Sequence, residues 1–292
     1  MSKLQLHASG MEALSKCGIA YERRYILGEK SEPSASMLVG TAVDRSVRLN
    51  MTAKKETGVL LFVDDVKDAA RDALVNEWQS GVRLSEEDKE DGTSSQAHAI
   101  DMSVNLAGLH HGKLAPAINP THVARQWVLE VKGHDIQIAG EIDIQEGIEA
   151  IRDTKTSRKS PVKTLADESL QLSTYALAVR QLEGVLPKKV VLDYLVQTPA
   201  RGDLKLVQLE SRRDDEHLEP VLARIGQMEQ VLRSGLFTPA PMSAWWCAKK
   251  YCAYWETCRY AARPVSVIAP DLTQQLTESI HLVEQRKAAT IA

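Results

Sequence analysis

Through most of residues 31–114 the apolar positions recur every third or fourth residue, and beyond residue 122 they alternate or run together over short spans. In SEPSASMLVGTAVDRSVRLN (31–50), serines and a proline precede helically spaced Leu, Val and Ala, as at a helix start. DDVKDAARDALVNEW (64–78) and the stretch from Ser95 to Leu114 carry the same spacing, with SEEDKEDGTSS between them as a solvated polar loop.

The later period predicts strands. VARQWVLEV (123–131), HDIQIAGEIDI (134–144) and GIEAIRDTKT (147–156), punctuated by Gly133, Gly140 and Gly147, read as three adjacent antiparallel strands. LADESLQLSTYALAVRQLEG (165–184) predicts a helix ending at Gly184. VVLDYLVQT and DLKLVQLES predict two strands around the turn PARG, and a helix from about Asp214 to Arg233 follows. Helices, three strands, helix, two strands, helix is the order of an α/β core with a helical insertion near its front.

The expected organisation is an N-terminal segment (1–30), a helical region (31–120), the core (121–240), a cysteine-rich segment (241–262) and a C-terminal helix (263–292). In the last, DLTQQLTESIHLVEQRKAA is amphipathic and suited to packing on the core or on another chain. No fixed-period repeat or low-complexity tract is present.

With 292 residues, 43% of them hydrophobic, the chain can bury a core as one large domain or two small ones. It lacks an apolar run of membrane-spanning length, and its start, MSKLQLHASG, lacks a signal-peptide core, so a cytoplasmic protein is expected. A net charge of -3 argues mildly against a simple DNA coat and leaves room for an acidic metal site beside a local basic groove.

Charged residues interrupt the apolar strands where unpaired charge is costly. Glu141 with Asp143, and Asp153 with Lys155, are two apart and so share a face. They read either as solvated ion-paired faces or as a site for a hard divalent cation. Asp-x-Lys alone decides nothing, because Asp65-Val66-Lys67 and Asp203-Leu204-Lys205 repeat it. Asp153-Thr154-Lys155 differs by its setting. It ends an apolar strand, follows Gly140-x-x-Asp143, and precedes Gln171-x-x-x-Tyr175, whose side chains share a helix face.

In that series the chain resembles the PD-(D/E)XK nuclease superfamily, in its RecB-like branch, over residues 40–175. The resemblance implies a restriction-endonuclease-like core, a mixed sheet flanked by helices, and a Mg- or Mn-dependent deoxyribonuclease. By it, Asp143 and Asp153 bind the metal, Thr154 adds its carbonyl, Lys155 handles the attacking water, and Gln171 and Tyr175 orient the site or hold DNA. The branch's helical histidine is replaced by Asp44, four residues after Gly40; aspartate is a harder ligand. The other readings of Asp44 are a solvated helix residue, or the mark of a catalytically inactive DNA-binding scaffold with the same fold.

Cys247, Cys252 and Cys258 lie within twelve residues, and Cys17 is the remaining cysteine. They read as plain buried thiols or as metal ligands; four thiolates suit tetrahedral zinc or a 4Fe-4S cluster, and the long unequal gaps with one remote ligand favour the cluster. AddB-type helicase-nucleases and iron-sulfur CRISPR-associated nucleases are similar in placing one cysteine before the nuclease core and three after it, and the pattern also resembles phage-encoded nucleases of this branch. The resemblance implies an exonuclease making single-stranded ends for recombination or repair, DNA as partner, a recombination or helicase protein as a further partner, and host cytoplasm if phage-encoded.

Trp245, Trp246, Tyr251, Tyr254 and Trp255 are expected to form an apolar shell around such a centre, with base stacking the alternative for one or two. Arg158, Lys159 and Lys163, between Lys155 and the Gln171 helix, are candidates for phosphate contact, as are Arg23 and Arg24 more weakly. His110-His111 is expected at a helix end, and no Walker A loop is present.

Overall fold

A computed structural model of the chain describes residues 4–84, 92–198, 202–261 and 263. They form two compact units, Met1–Ser31 with Glu130–Ile138 and Leu222–Ala292, and Glu32–Leu129 with Ala139–Val221. No described helix is long and apolar enough to cross a membrane.

In the first unit, β1 (Leu4–His7) lies beside the beginning of β3 (Ile136–Glu146), with Leu4 N–H donating to the Asp135 carbonyl at 3.2 Å. α1 (Ala8–Lys16) and α2 (Gly18–Tyr21) meet at Cys17, whose N–H closes α1 on Ala13 and whose Sγ accepts the Ala20 N–H at 3.5 Å. A Cβ on Gly18 would stand 2.8 Å from the Thr238 backbone, so glycine permits this approach. A π-helical turn, Glu22–Ile26, follows. None of these N-terminal elements is expected from the sequence, because runs of four, nine, four and five residues are too short to display a period.

The second unit holds the helical layer and most of the sheet. α3 (Ala35–Thr57) starts where the Ser34 hydroxyl accepts the Met37 N–H and stops at Gly58, whose φ of 78° suits glycine. Its buried positions, including Leu38, Val39, Ala42, Val43, Val47 and Met51, follow the helical spacing. They pack against α4 (Val63–Gln79) and α5 (Gly92–Lys113) around Leu74 and Leu106, and this core continues into Ile144 and Leu195 of the sheet.

The sheet comprises β2 (His122–Glu130), β3, β4 (Ala150–Ser157), β5 (Lys189–Gln197) and β6 (Leu204–Ser211), in the order β3-β4-β5-β6 with β2 also on β3. β4 runs antiparallel to β3 and parallel to β5, and β6 returns antiparallel to β5. A parallel pair needs a crossover; α6 (Leu165–Glu168) and α7 (Leu170–Glu183) supply it, and α8 (Asp215–Ser234) ends the series. A mixed sheet flanked by helices is the expected α/β class.

β4 is buried from Ala150 to Asp153, as a strand covered on both faces should be. Arg152 is tolerated there because its Nε donates to Glu146 at 2.6 Å and its Nη1 to Asp193 at 3.0 Å, while Gln208 also donates to Asp193 at 2.8 Å.

Two expectations change. The helix expected over 165–184 breaks at extended Ser169 (ψ 109°), whose hydroxyl accepts the Leu172 N–H at 3.2 Å and restarts the helix; serine at this point competes with the continuing backbone ladder. Gly92 to Ser95, placed in the polar loop, belong to α5. The rest of that loop (85–91), Pro199 to Arg201 of the turn, and the C-terminal helix over 271–289 lie outside the described residues.

Candidate active site

The β3–β4 ladder pairs Glu146 with Ala150, Gln145 with Ile151 and Ile144 with Arg152. The next residues are Asp143 and Asp153. There the Asp143 side chain takes over, its Oδ2 accepting the Thr154 N–H at 3.1 Å. Where the two strands stop pairing the two carboxylates come together, Asp153 in the interior at 1% exposed and Asp143 partly buried beside it.

Lys155, two residues along β4, places Nζ 2.7 Å from Asp153 Oδ2. The contact is a short ion pair that partly offsets the burial of this carboxylate. Lys155 Nζ also donates to Gln171 Oε1 at 3.0 Å, and Gln171 Nε2 donates to the Tyr175 hydroxyl at 2.7 Å. Gln171 and Tyr175 sit one turn apart on α7. The Tyr175 ring meets Trp127 edge to face at 5.9 Å, and Trp127 crosses β3 at Gly140, where a Cβ would come within 2.4 Å of the indole.

Charge is unbalanced here. Burial, then the Asp153 and Asp44 charges, push the Asp143 carboxyl well above the ordinary carboxylate range, against the pull of Lys155 and the Thr154 N–H. Burial likewise raises Asp153, with Lys155 opposing. Burial and then the charges of Asp153 and Asp143 raise the Tyr175 phenol.

α3 completes the site. Gly40 approaches β4, a Cβ there standing 3.4 Å from Thr156 Oγ1, and Asp44 follows one turn later. Asp44 Oδ2 is 2.7 Å from Arg48 Nε. Arg48 Nη1 pairs with Glu141 Oε1, and its Nη2 is 3.9 Å from Asp143 Oδ1. Burial works against the Arg48 charge, but bonding to Asp44 and Glu141 more than offsets it and raises its pKa. Arg48 is a site residue that the sequence reading passes over, although its i, i+4 spacing from Asp44 is a signal for the pair.

Asp44, Asp143, Asp153, Thr154, Lys155, Gln171 and Tyr175 all lie in the second unit. Arg158, Lys159 and Lys163 are exposed in the connection from β4 to α6. A profile of the PD-(D/E)XK nuclease superfamily matches residues 5–259. The chain belongs to this superfamily.

Among solved structures, the chain is similar to one from Eubacterium rectale, a protein described as a presumed exonuclease: it is 16% identical, with a TM-score of 0.50 over 90% of this chain and 91% of that one. The structure of SSO0001 aligns over 89% of this chain and 88% of its own at 14% identity and a TM-score of 0.42. A search of curated proteins finds no significant match.

Among the described residues, no group of three or more His, Cys, Asp or Glu side chains stands in metal-ligating geometry. The nuclease's carboxylates are instead held by their neighbours, Asp44 by Arg48, Asp143 by Thr154 and Asp153 by Lys155. The donor set nevertheless fits a hard divalent cation: oxygen ligands, mutual repulsion at Asp143, and an Asp153 carboxylate whose burial raises its pKa despite the Lys155 ammonium beside it.

The four cysteines are all in the first unit as free, half-buried thiols lining one small cavity. Burial raises the Cys252 thiol, the Tyr254 backbone hydrogen bond lowers it, and Cys17, Cys247 and Cys258 raise it further. Tyr254 and Trp255 line the same cavity. The expected apolar shell does not extend to Trp245 and Tyr251, which are 67% and 52% exposed and meet edge to face at 4.9 Å; the aromatic run is too long for every ring to reach one small cavity. Arg23, a weak phosphate candidate in the sequence, is engaged by Glu29, Thr257 and the Tyr254 carbonyl.

Proposed function

We propose that the protein is a divalent-metal-dependent deoxyribonuclease whose reaction centre is Asp44, Asp143, Asp153 and Lys155. The observation that carries this reading is the buried Asp153 carboxylate and the partly buried Asp143 carboxylate, side by side where the two strands stop pairing, with an ammonium group beside them. Asp143, Asp153 and Asp44 would hold Mg or Mn, with the Thr154 carbonyl as a further ligand. The bound cation supplies Lewis acidity at the scissile phosphate. Lys155 positions the attacking water and offsets developing phosphate charge. Gln171, fixed by Tyr175, sets the direction of the Lys155 ammonium. Arg158, Lys159 and Lys163 contact the DNA backbone, a role that their exposure permits.

The finer reading is an exonuclease that leaves single-stranded ends. The presumed exonuclease of similar fold is consistent with it. Trp245 and Tyr251 are exposed rings of the kind on which bases stack. We further propose that Cys17, Cys247, Cys252 and Cys258 bind a 4Fe-4S cluster, with zinc as the competing occupant. Their convergence on one cavity, and N–H donors at Cys17 and Cys252 of the kind that tune cluster sulfurs, support it.

Linear and circular DNA incubated with purified protein and Mn²⁺ test the enzyme reading. Cleavage lost in Lys155→Ala is the expected result, and Lys155-independent cleavage or none at all contradicts it. Digestion confined to linear DNA supports the exonuclease. Iron and acid-labile sulfide in anaerobically purified protein support the cluster, and zinc alone contradicts it.

A further inference from the structure

We propose that Arg48 is a built-in counter-cation that competes with the divalent metal for the site's carboxylates, so that metal binding displaces its guanidinium. The proposal rests on the assignment of Asp44, Asp143 and Asp153 as metal ligands.

The guanidinium reaches three carboxylates on two elements: Asp44 on α3 at 2.7 Å, Glu141 on β3, and Asp143 on β3 at 3.9 Å. Two of these belong to the proposed ligand set. Asp44 Oδ2, the atom that Arg48 Nε approaches, is an oxygen that a metal needs. An arginine cannot relieve repulsion by losing its proton, as a buried lysine can, so a dication beside it leaves only movement. The side chain is 32% exposed and has a way out toward solvent. Glu141, on the same face of β3 as Asp143 and outside the proposed ligand set, gives the guanidinium a partner that it can keep after release.

The arrangement also accounts for two facts together: carboxylates close enough to raise the Asp143 carboxyl, and no described group in ligating geometry. In the metal-free protein Arg48 occupies part of the charge deficit that the metal is meant to fill. The affinity of the site is therefore set below what its carboxylates alone would reach. A merely positioning arginine, holding Asp44 and Glu141 for the metal, would have the opposite effect.

Mn²⁺ binding to full-length wild type, Arg48→Met and Asp153→Asn, followed by electron paramagnetic resonance of free Mn²⁺ without DNA, tests this. The proposal expects Arg48→Met to bind roughly tenfold tighter than wild type, and Asp153→Asn to lose the site. Equal or weaker binding by Arg48→Met, with Asp153→Asn still defective, overturns the competition and leaves the ligand assignment standing. Undiminished binding by Asp153→Asn overturns both. A second measurement uses wild type alone, in case Arg48→Met does not fold: phenylglyoxal modification of Arg48, mapped by mass spectrometry, must accelerate when Mn²⁺ is added. An unchanged or slower rate overturns the proposal.

Discussion

Asp143 Oδ2 accepts the backbone N–H of Thr154 at 3.1 Å, just past Ile144 and Arg152, the last backbone pair of the β3–β4 ladder. A side chain thereby substitutes for a strand at the place where two carboxylates must be brought together, and the cost appears in the raised carboxyl of Asp143.

That cost predicts a trade between stability and activity. With its folded pKa above the unfolded value, Asp143 destabilises the metal-free fold once the pH exceeds the ordinary carboxylate range, increasingly so up to the folded pKa. Asp143→Asn should abolish Mn²⁺-dependent cleavage while stabilising the metal-free protein by about 1–3 kcal/mol near neutral pH. Urea unfolding in EDTA reads the stability directly.

Gln171 links Lys155 to Tyr175. Gln171→Leu should lower kcat by about 10–100-fold with KM for DNA little changed, because an orienting group acts in the transition state. Tyr175→Phe, which removes only the hydroxyl accepting from Gln171, should cost about tenfold or less. Steady-state kinetics on a short duplex separates these effects.

His110 is 1% exposed on α5, and among the described residues neither ring nitrogen has a hydrogen-bond partner. Burial, then His111 and Arg152, lower its pKa to about 3. The unfolded chain protonates this ring near its ordinary value while the folded chain does not, so stability is lost as pH falls below about 6.5, by about 1.4 kcal/mol per pH unit at full slope. His110→Met should flatten that loss between pH 6 and pH 4 while retaining the fold. Thermal melts across this range decide it.

Cys17 lies some 230 residues from the other thiols, so a shared metal centre would close nearly the whole chain and restrict the unfolded state. On the proposed 4Fe-4S assignment, Cys17→Ala should lose the cluster's brown colour and lower the hydrogen-exchange protection of α1 and α2. Full retention of both contradicts the staple.

How much of this was legible beforehand depended on element length and on contact range. The long periodic stretches became α3, α4 and α5, and the short apolar runs became the strands. β1 to the π-helical turn, each too brief to reveal a period, did not show. Within the site, Asp143, Asp153 and Lys155 stood out because strand spacing and motif order coincide. Arg48 did not, since its i, i+4 spacing from Asp44 signals only that pair, and its reach to Glu141 and Asp143 on β3 is a tertiary contact that no local pattern encodes. Arg152 and Asp193 escaped for the same reason: 41 residues apart, they form a buried pair only after β4 and β5 align.

The most direct test of the central claim is a crystal of the full chain soaked in Mn²⁺ and measured for anomalous scattering. The account predicts one strong peak within about 2.0–2.6 Å of carboxylate oxygens from both Asp143 and Asp153. Ordered carboxylates with no ion between them, or Mn²⁺ bound only elsewhere, would contradict it.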